Sequence, residues 1–279
     1  MLPEGTDHLI DLAIREDLPG GDPTSESIVA EGSVSKAVFL AKEDGVLAGI
    51  DVAGRVFERI DASIRFEKAR NDGESFTFGD VLARVNGPSL SLLKAERTSL
   101  NFLQRLSGIA TFARAFVEAV RGTKAGILDT RKTTPGWRAL EKYAVRMGGG
   151  VNHRMSLSDM VLVKDNHLAL AGSVGEALTR IRGRVPVGMA VEVEVRSLEQ
   201  AREALAGGAT MLMLDNMASE EMREVVDWIA GRVPVEASGR MSLEGVQAVA
   251  RLGVDYISVG ALTHSFRSLD ISLEFDARP

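Results

Sequence analysis

The residues best suited to chemistry gather between Asp129 and His167. That stretch holds Arg131, Lys132, Arg138, Lys142, Arg146, Arg154 and Lys164 against Asp129, Glu141, Asp159 and Asp165. Seven bases against four acids make it +3, in a chain of 279 residues with a formal net charge of −6. A basic patch in an acidic protein suits a small anionic ligand. Arginine grips carboxylates and phosphates with two prongs, and lysine brings a mobile point charge. Several cations together point to a ligand with several anionic groups. Arg131, Lys132, Arg154 and Lys164 sit at or just past strand-like segments. Arg138, Lys142 and Arg146 recur every fourth residue and read as a solvated helix stripe.

Glu194 and Asp215 end neighbouring strand-like segments. Such a pair can share a hard cation such as Mg2+, or simply neutralise the nearby Lys and Arg. His153 and His167 lie 14 residues apart and form no zinc-binding spacing. With no cysteine there is no disulfide framework, thiolate metal site or Cys nucleophile. Net acidity argues against sequence-independent nucleic-acid binding. Nothing approaches the ~18 apolar residues of a membrane span. The opening residues lack the basic and apolar regions of a signal peptide, so the expected location is cytoplasmic.

The elements that must position these residues repeat. Strand-like segments end in Asp129-Thr130-Arg131-Lys132, in Lys164-Asp165-Asn166-His167 and in Asp215-Asn216; Met189–Val195 carries Glu192 and Glu194. Later ones end in Glu236-Ala237-Ser238-Gly239 and in Gly260. Helical patterns such as Trp137–Met147, Ser173–Ile181, Leu198–Leu205, Glu220–Ile229 and Leu243–Leu252 lie between them. Successive later units are roughly 20 residues apart, as short βα units should be. In (β/α) barrels the C-terminal strand ends carry the site. The last two ends, poor in side chains, suit a phosphate cradle of backbone N–H groups. About six units fit, whereas a closed eight-unit barrel needs ~250 residues, so an incomplete barrel is expected. Residues before 108 read as α+β, followed by a helical stretch from Leu90 to Arg121 interrupted near Ser107-Gly108.

The ordered set Gly21-Asp22-Pro23-Thr24, Ala95-Glu96-Arg97-Thr98, Asp129–Gly136, Lys142–Arg154, Lys164–His167, Glu192–Val195, Leu214–Asn216, Glu236–Gly239 and Val259–Ser265 closely resembles the quinolinate phosphoribosyltransferase family. The match covers nearly the whole chain, and order and spacing make it specific where single motifs would be weak. The resemblance implies an N-terminal α/β sandwich domain (1–108, completed by 268–279). An open α/β barrel of about six to seven strands follows at 109–267. It implies transfer of phosphoribosyl from phosphoribosyl pyrophosphate to the ring nitrogen of quinolinate, with decarboxylation and Mg2+ as cofactor. It implies a homodimer, or a dimer-based higher oligomer, with a shared site. Arg131, His153, Arg154 and Lys164 would hold the quinolinate carboxylates, joined by Arg97 from the partner subunit. Lys132 and Lys164 would meet the pyrophosphate or ribose phosphate. Glu194 and Asp215 would face ribose and Mg2+, directly or through water. Ser238, Gly239, Gly260 and Ala261 would cradle the 5′-phosphate.

The chain departs from the family at Arg240, where Gly is usual, and at Ser156 and Met147. A non-glycine at 240 questions any positive φ there. Two other readings are a paralogous transferase of the same fold with another acceptor, and a non-catalytic anion-binding module. The intact Asn152-His153-Arg154 and Lys164–His167 elements argue against the first, and the complete set of acids and lysines against the second. Trp137 and Trp228 read as packing anchors, Met211 and Met213 as strand core, and His8 as a surface residue. His264 reads as shaping the last loop.

Overall fold

The computed structural model describes residues 2–276. Two compact units emerge: one of residues up to Arg114, Thr133–Gly149 and from Ala261 onward, the other of Ala115–Lys132 and Gly150–Gly260.

The first unit begins with helices α1 (Thr6–Asp17) and α2 (Pro23–Ile28), where Asp22 caps α2 by accepting from the Ser25 N–H at 3.1 Å. Strands β1 (Val34–Ala41), β2 (Gly45–Val46), β3 (Arg65–Lys68), β4 (Ser75–Phe76) and β5 (Val81–Pro88) surround helix α3 (Ile50–Ile60). Alternate burial along β1 and β5 puts one face of the antiparallel sheet inward. There Phe39, Phe57 and Phe66 meet with ring centroids 5.8–5.9 Å apart. Each such pair adds about 0.5–1.5 kcal/mol beyond area burial. The sheet order is β12-β1-β5-β3, with β12 defined below; β2 pairs with β4.

Helix α4 (Ser89–Ala119) runs through residue 108 without the expected interruption. Gly108 is required there for contact, not for bending: a Cβ would lie 2.1 Å from the Arg267 carbonyl oxygen. Strand β6 (Gly126–Leu128) then leads to helix α5 (Arg138–Met147), which packs with the first unit rather than among the barrel helices. Its Glu141 accepts from Arg105 at 2.6 Å, and its Tyr143 hydroxyl donates to Asp72 at 2.6 Å. Trp137 stacks on Phe102, with centroids 4.9 Å apart, as a packing anchor should. The solvated-stripe reading fails at Lys142, which is only 1% exposed, because α5 turns Glu141, Lys142, Ala144 and Val145 inward. Arg146 is exposed as expected.

The second unit is built from β6, β7 (Val161–Val163), β8 (Val191–Val195), β9 (Met211–Asp215), β10 (Val235–Ser238) and β11 (Tyr256–Ser258). These form one six-stranded parallel sheet in the order β6-β11-β10-β9-β8-β7. Val151 adds a single parallel bridge to Leu128. Helices α6 (Asp165–Ala171), α7 (Val174–Ile181), α8 (Leu198–Ala206), α9 (Ser219–Ile229) and α10 (Val246–Ala250) connect the strands. Ser173 and Ser197 cap α7 and α8 through the Glu176 and Gln200 N–H groups. The near-continuous apolar run of β9 is what a parallel sheet covered on both faces requires, whereas β8 alternates Val with buried Glu192 and Glu194. Trp228 lies against Arg202 and Arg232, so it too packs rather than offering a free face.

The chain ends with the short helix α11 (Ala261–His264) and β12 (Ile271–Phe275). Strand β12 returns to the first unit and pairs antiparallel with β1, Ile271 opposite Ala41. Of the 268–279 segment, residues 277–279 lie outside the described ones. Among the described residues no helix is long and apolar enough to cross a membrane.

Candidate active site

The C-terminal ends of the parallel strands surround a cavity of about 330 Å³. Arg131 and Lys132 reach it after β6, His153 and Arg154 before β7, and Lys164 after β7. Glu194 of β8, Asp215 of β9 and Ser238 of β10 complete the expected set there. Gly239 and Gly260 follow strand ends in the same unit but do not line the cavity. Ala261 groups with the first unit, where Arg97 is exposed on α4. Neither lines the cavity.

The lysines and arginines are set by backbone anchors. The Lys164 N–H donates to His167 Nδ1 at 2.9 Å, so the histidine of the Lys-Asp-Asn-His element caps α6. Buried Asp129 accepts from the His153 N–H at 2.8 Å and from Asn152 Nδ2 at 2.5 Å. Arg154 Nη1 donates to the Met160 carbonyl at 3.0 Å. Burial lowers the Arg154 pKa, and the like charge of Arg131 adds to this; buried Glu192 and Asp159 oppose it.

Two acidic groups occupy different levels. On the rim, Arg196 Nη2 lies 3.2 Å from Asp165, 3.3 Å from Glu194 and 3.5 Å from Asp215. Burial pushes the Glu194 carboxyl up, and the charges of Asp215 and Asp165 push it further. Three carboxylates thus converge on one guanidinium at the rim. On the floor, His153 Nε2 lies 3.1 Å from Glu192 and 3.4 Å from Glu236, both fully buried. Burial lifts Glu192 to about 7. Burial alone would lower the His153 pKa, but the nearby Glu192 and Glu236 carboxyls oppose it and favour a proton at Nε2.

The Arg154 N–H donates to His153 Nδ1 at 2.7 Å, which requires a lone pair on that nitrogen. The ring proton therefore sits on Nε2, between the carboxylates, and any further proton belongs to the carboxyl pair. Both ring nitrogens are thus engaged, and His153 faces the cavity as a ring rather than as a free donor.

Gly239, expected in a phosphate cradle, has a backbone reason of its own to be glycine. Its φ is 140°, and a Cβ would sit 2.8 Å from Asn216 Oδ1. Among the described residues the non-glycines with positive φ are Asn216 and Ala230, so Arg240 takes an ordinary backbone and the strain falls on Gly239. Met213 is buried as strand core but also lines the cavity. His264 is exposed, with its Nδ1 2.6 Å from Ser265 Oγ.

Sequence reasoning missed Arg196 and gave no role to Glu192 or Glu236. The signal was available: Glu192, Glu194 and Arg196 alternate along one strand and its exit, and alternate strand residues share a face.

The comparisons with known proteins agree with this architecture. "Quinolinate phosphoribosyl transferase, N-terminal domain" matches residues 22–107, and the C-terminal domain of the same family matches 109–274. The nicotinate-nucleotide pyrophosphorylase (carboxylating) of Mycobacterium leprae is 47% identical over 94% of this chain and 94% of its own. A probable nicotinate-nucleotide pyrophosphorylase (carboxylating) of Bacillus subtilis is 44% identical over 93% of this chain and 89% of its own. The crystal structure of NadC from Streptococcus pyogenes superposes with a TM-score of 0.95 at 44% identity, covering 98% of this chain and 97% of that one. On the strength of both domain matches, these relatives and the shared fold, the chain belongs to the quinolinate phosphoribosyltransferase family.

Proposed function

We propose that the chain transfers the phosphoribosyl group of phosphoribosyl pyrophosphate to the ring nitrogen of quinolinate. The products are pyrophosphate, CO2 and nicotinate mononucleotide, a step of de novo NAD biosynthesis. One observation carries the reading: four cations, Arg131, Lys132, Arg154 and Lys164, and two carboxylates, Glu194 and Asp215, line one cavity at the strand ends.

Arg131, Arg154 and Lys164 bind the two carboxylates of quinolinate against the His153 ring. The partner subunit's Arg97 completes that subsite in a homodimer or dimer-based oligomer; its exposure on α4 leaves it available. Lys132 and Lys164 neutralise the diphosphate, and Ser238, with Gly239 and Gly260 at the neighbouring strand ends, receives the 5′-phosphate. Positioning two polyanions and cancelling their repulsion is the main catalytic work. The ring nitrogen attacks the anomeric carbon as the bond to pyrophosphate breaks, and a carboxylate beside the ribose favours the developing positive charge. The C2–carboxylate bond then breaks. Its electron pair passes to C2 beside the cationic nitrogen, and a proton replaces CO2. Glu194 and Asp215 would hold Mg2+, directly or through water; when bound, it supplies charge stabilisation to the leaving pyrophosphate.

Purified protein incubated with quinolinate, phosphoribosyl pyrophosphate and Mg2+ should release pyrophosphate and nicotinate mononucleotide. Absence of both products would overturn the reading. Nicotinate tested in place of quinolinate should give far less product, and excess chelator should suppress turnover.

A further inference from the structure

Four of the six buried side-chain atoms without a hydrogen-bond partner, among the described residues, belong to this site: Arg131 Nε, Glu192 Oε1 and both oxygens of Glu236. Orphaned buried polar atoms are costly, so such a cluster calls for a reason. The reaction as described uses neither Glu192 nor Glu236.

The trio of His153, Glu192 and Glu236 has the ligand types of a metal centre, its candidate atoms lying within 4.8 Å of one another. The His153 tautomer argues against that use. A metal on Nε2 would need the lone pair there and a proton on Nδ1, where the Arg154 N–H already donates at 2.7 Å. The centre is built around an N–H, not around a cation.

That N–H connects floor to rim. Glu192 on β8 hydrogen-bonds Nε2 at 3.1 Å, and Glu236 on β10 stands 3.4 Å from the same nitrogen as a charge contact from a second strand, so the ring is held between them. The held ring presents Nδ1 to the backbone N–H of Arg154, a residue that lines the cavity. Buried Glu192 also offsets the mutual repulsion of Arg131 and Arg154.

We propose that Glu236 is a positioning residue which, through the His153 ring, sets the Arg154 backbone and so the arm that receives a substrate carboxylate. This rests on the reading that quinolinate binds beside Arg131 and Arg154. Glu236 touches no reacting atom in that role. Its carboxylate acts by geometry, the way a second carboxylate orients a histidine in other polar networks.

The test uses the full-length protein and the isosteric variant Glu236→Gln, with His153→Gln and the double variant. Quinolinate KM should rise about tenfold in Glu236→Gln, while the phosphoribosyl pyrophosphate KM moves less than about twofold. The double variant should be no worse than His153→Gln, because residues acting through one another are not additive. The chain has four histidines, so 15N-imidazole NMR can resolve His153, using His153→Gln for assignment. Wild type should show an unprotonated Nδ1, and Glu236→Gln should broaden or shift that signal. Equal rises in both KM values, additive losses, or a protonated Nδ1 in wild type would each overturn the proposal. The NMR arm needs no substrate. A normal His153 signal shift with an unchanged quinolinate KM also overturns it while leaving the reaction standing. Failure of wild type to turn over quinolinate at all overturns the reaction itself.

Discussion

The same sheet carries two acidic groups that behave differently. On the rim, Glu194 and Asp215 share Arg196, a side chain 54% exposed. On the floor, Glu192 and Glu236 share His153, which is 9% exposed at its side chain. Glu192 and Glu194 are two residues apart on β8 and both buried, so what separates them is the partner each meets, exposed Arg196 or buried His153. Near water, a mobile cation can balance carboxylates and be exchanged for another. In the interior, ionisation is expensive and a fixed hydrogen bond takes over. The rim is therefore suited to ligand charge that comes and goes, the floor to holding a geometry.

The largest effect should come from removing the rim. Combining Glu194→Gln with Asp215→Asn should lower kcat about 10²–10³-fold, the scale of losing preorganised electrostatic groups, measured by pyrophosphate release. A loss below about fivefold would erase the functional side of the contrast. The floor should show itself in stability. Buried Glu192 is lifted from its ordinary 4.5 to about 7, so the folded state holds a proton the unfolded chain releases, and stability is lost as pH rises from 4.5 through about 7. Urea unfolding should lose about 2 kcal/mol between about pH 5 and 7.5, and Glu192→Gln should flatten that dependence.

A smaller effect is expected at Arg196. Arg196→Gln frees the rim carboxylates, so Mn2+ should bind the substrate-free protein about fivefold more tightly by calorimetry, a change of about 1 kcal/mol. Unchanged affinity would mean the guanidinium is not exchangeable. The smallest effect should follow Arg240→Gly. Since Arg240 carries no backbone strain, the phosphoribosyl pyrophosphate KM should move less than about twofold.

Much of this was legible in the sequence because strand ends advertise themselves. Lys164 and Asp215 each follow an apolar run, Glu194 and Ser238 lie near their strand ends, and the fold brings all four to one cavity. What stayed hidden depends on partners distant in sequence. Lys142 looks like part of a surface stripe, yet is buried by the packing of α5. His153 looks like a substrate donor until Arg154 and the two glutamates claim its nitrogens. Arg196 follows a strand end like the others, but its meaning needs Asp165 and Asp215, which only the folded sheet brings near.

The unbroken helix α4 has a bearing on how this protein can be taken apart. The two family matches meet at residue 108, twenty residues into a helix of thirty-one. A fragment starting at 109 would keep eleven of them, about the length at which an isolated helix is marginal in water. Inherited modules and pieces that fold alone are thus different things here. A catalytic fragment expressed from the inherited boundary would begin with a frayed end, and one meant to fold should carry α4 whole.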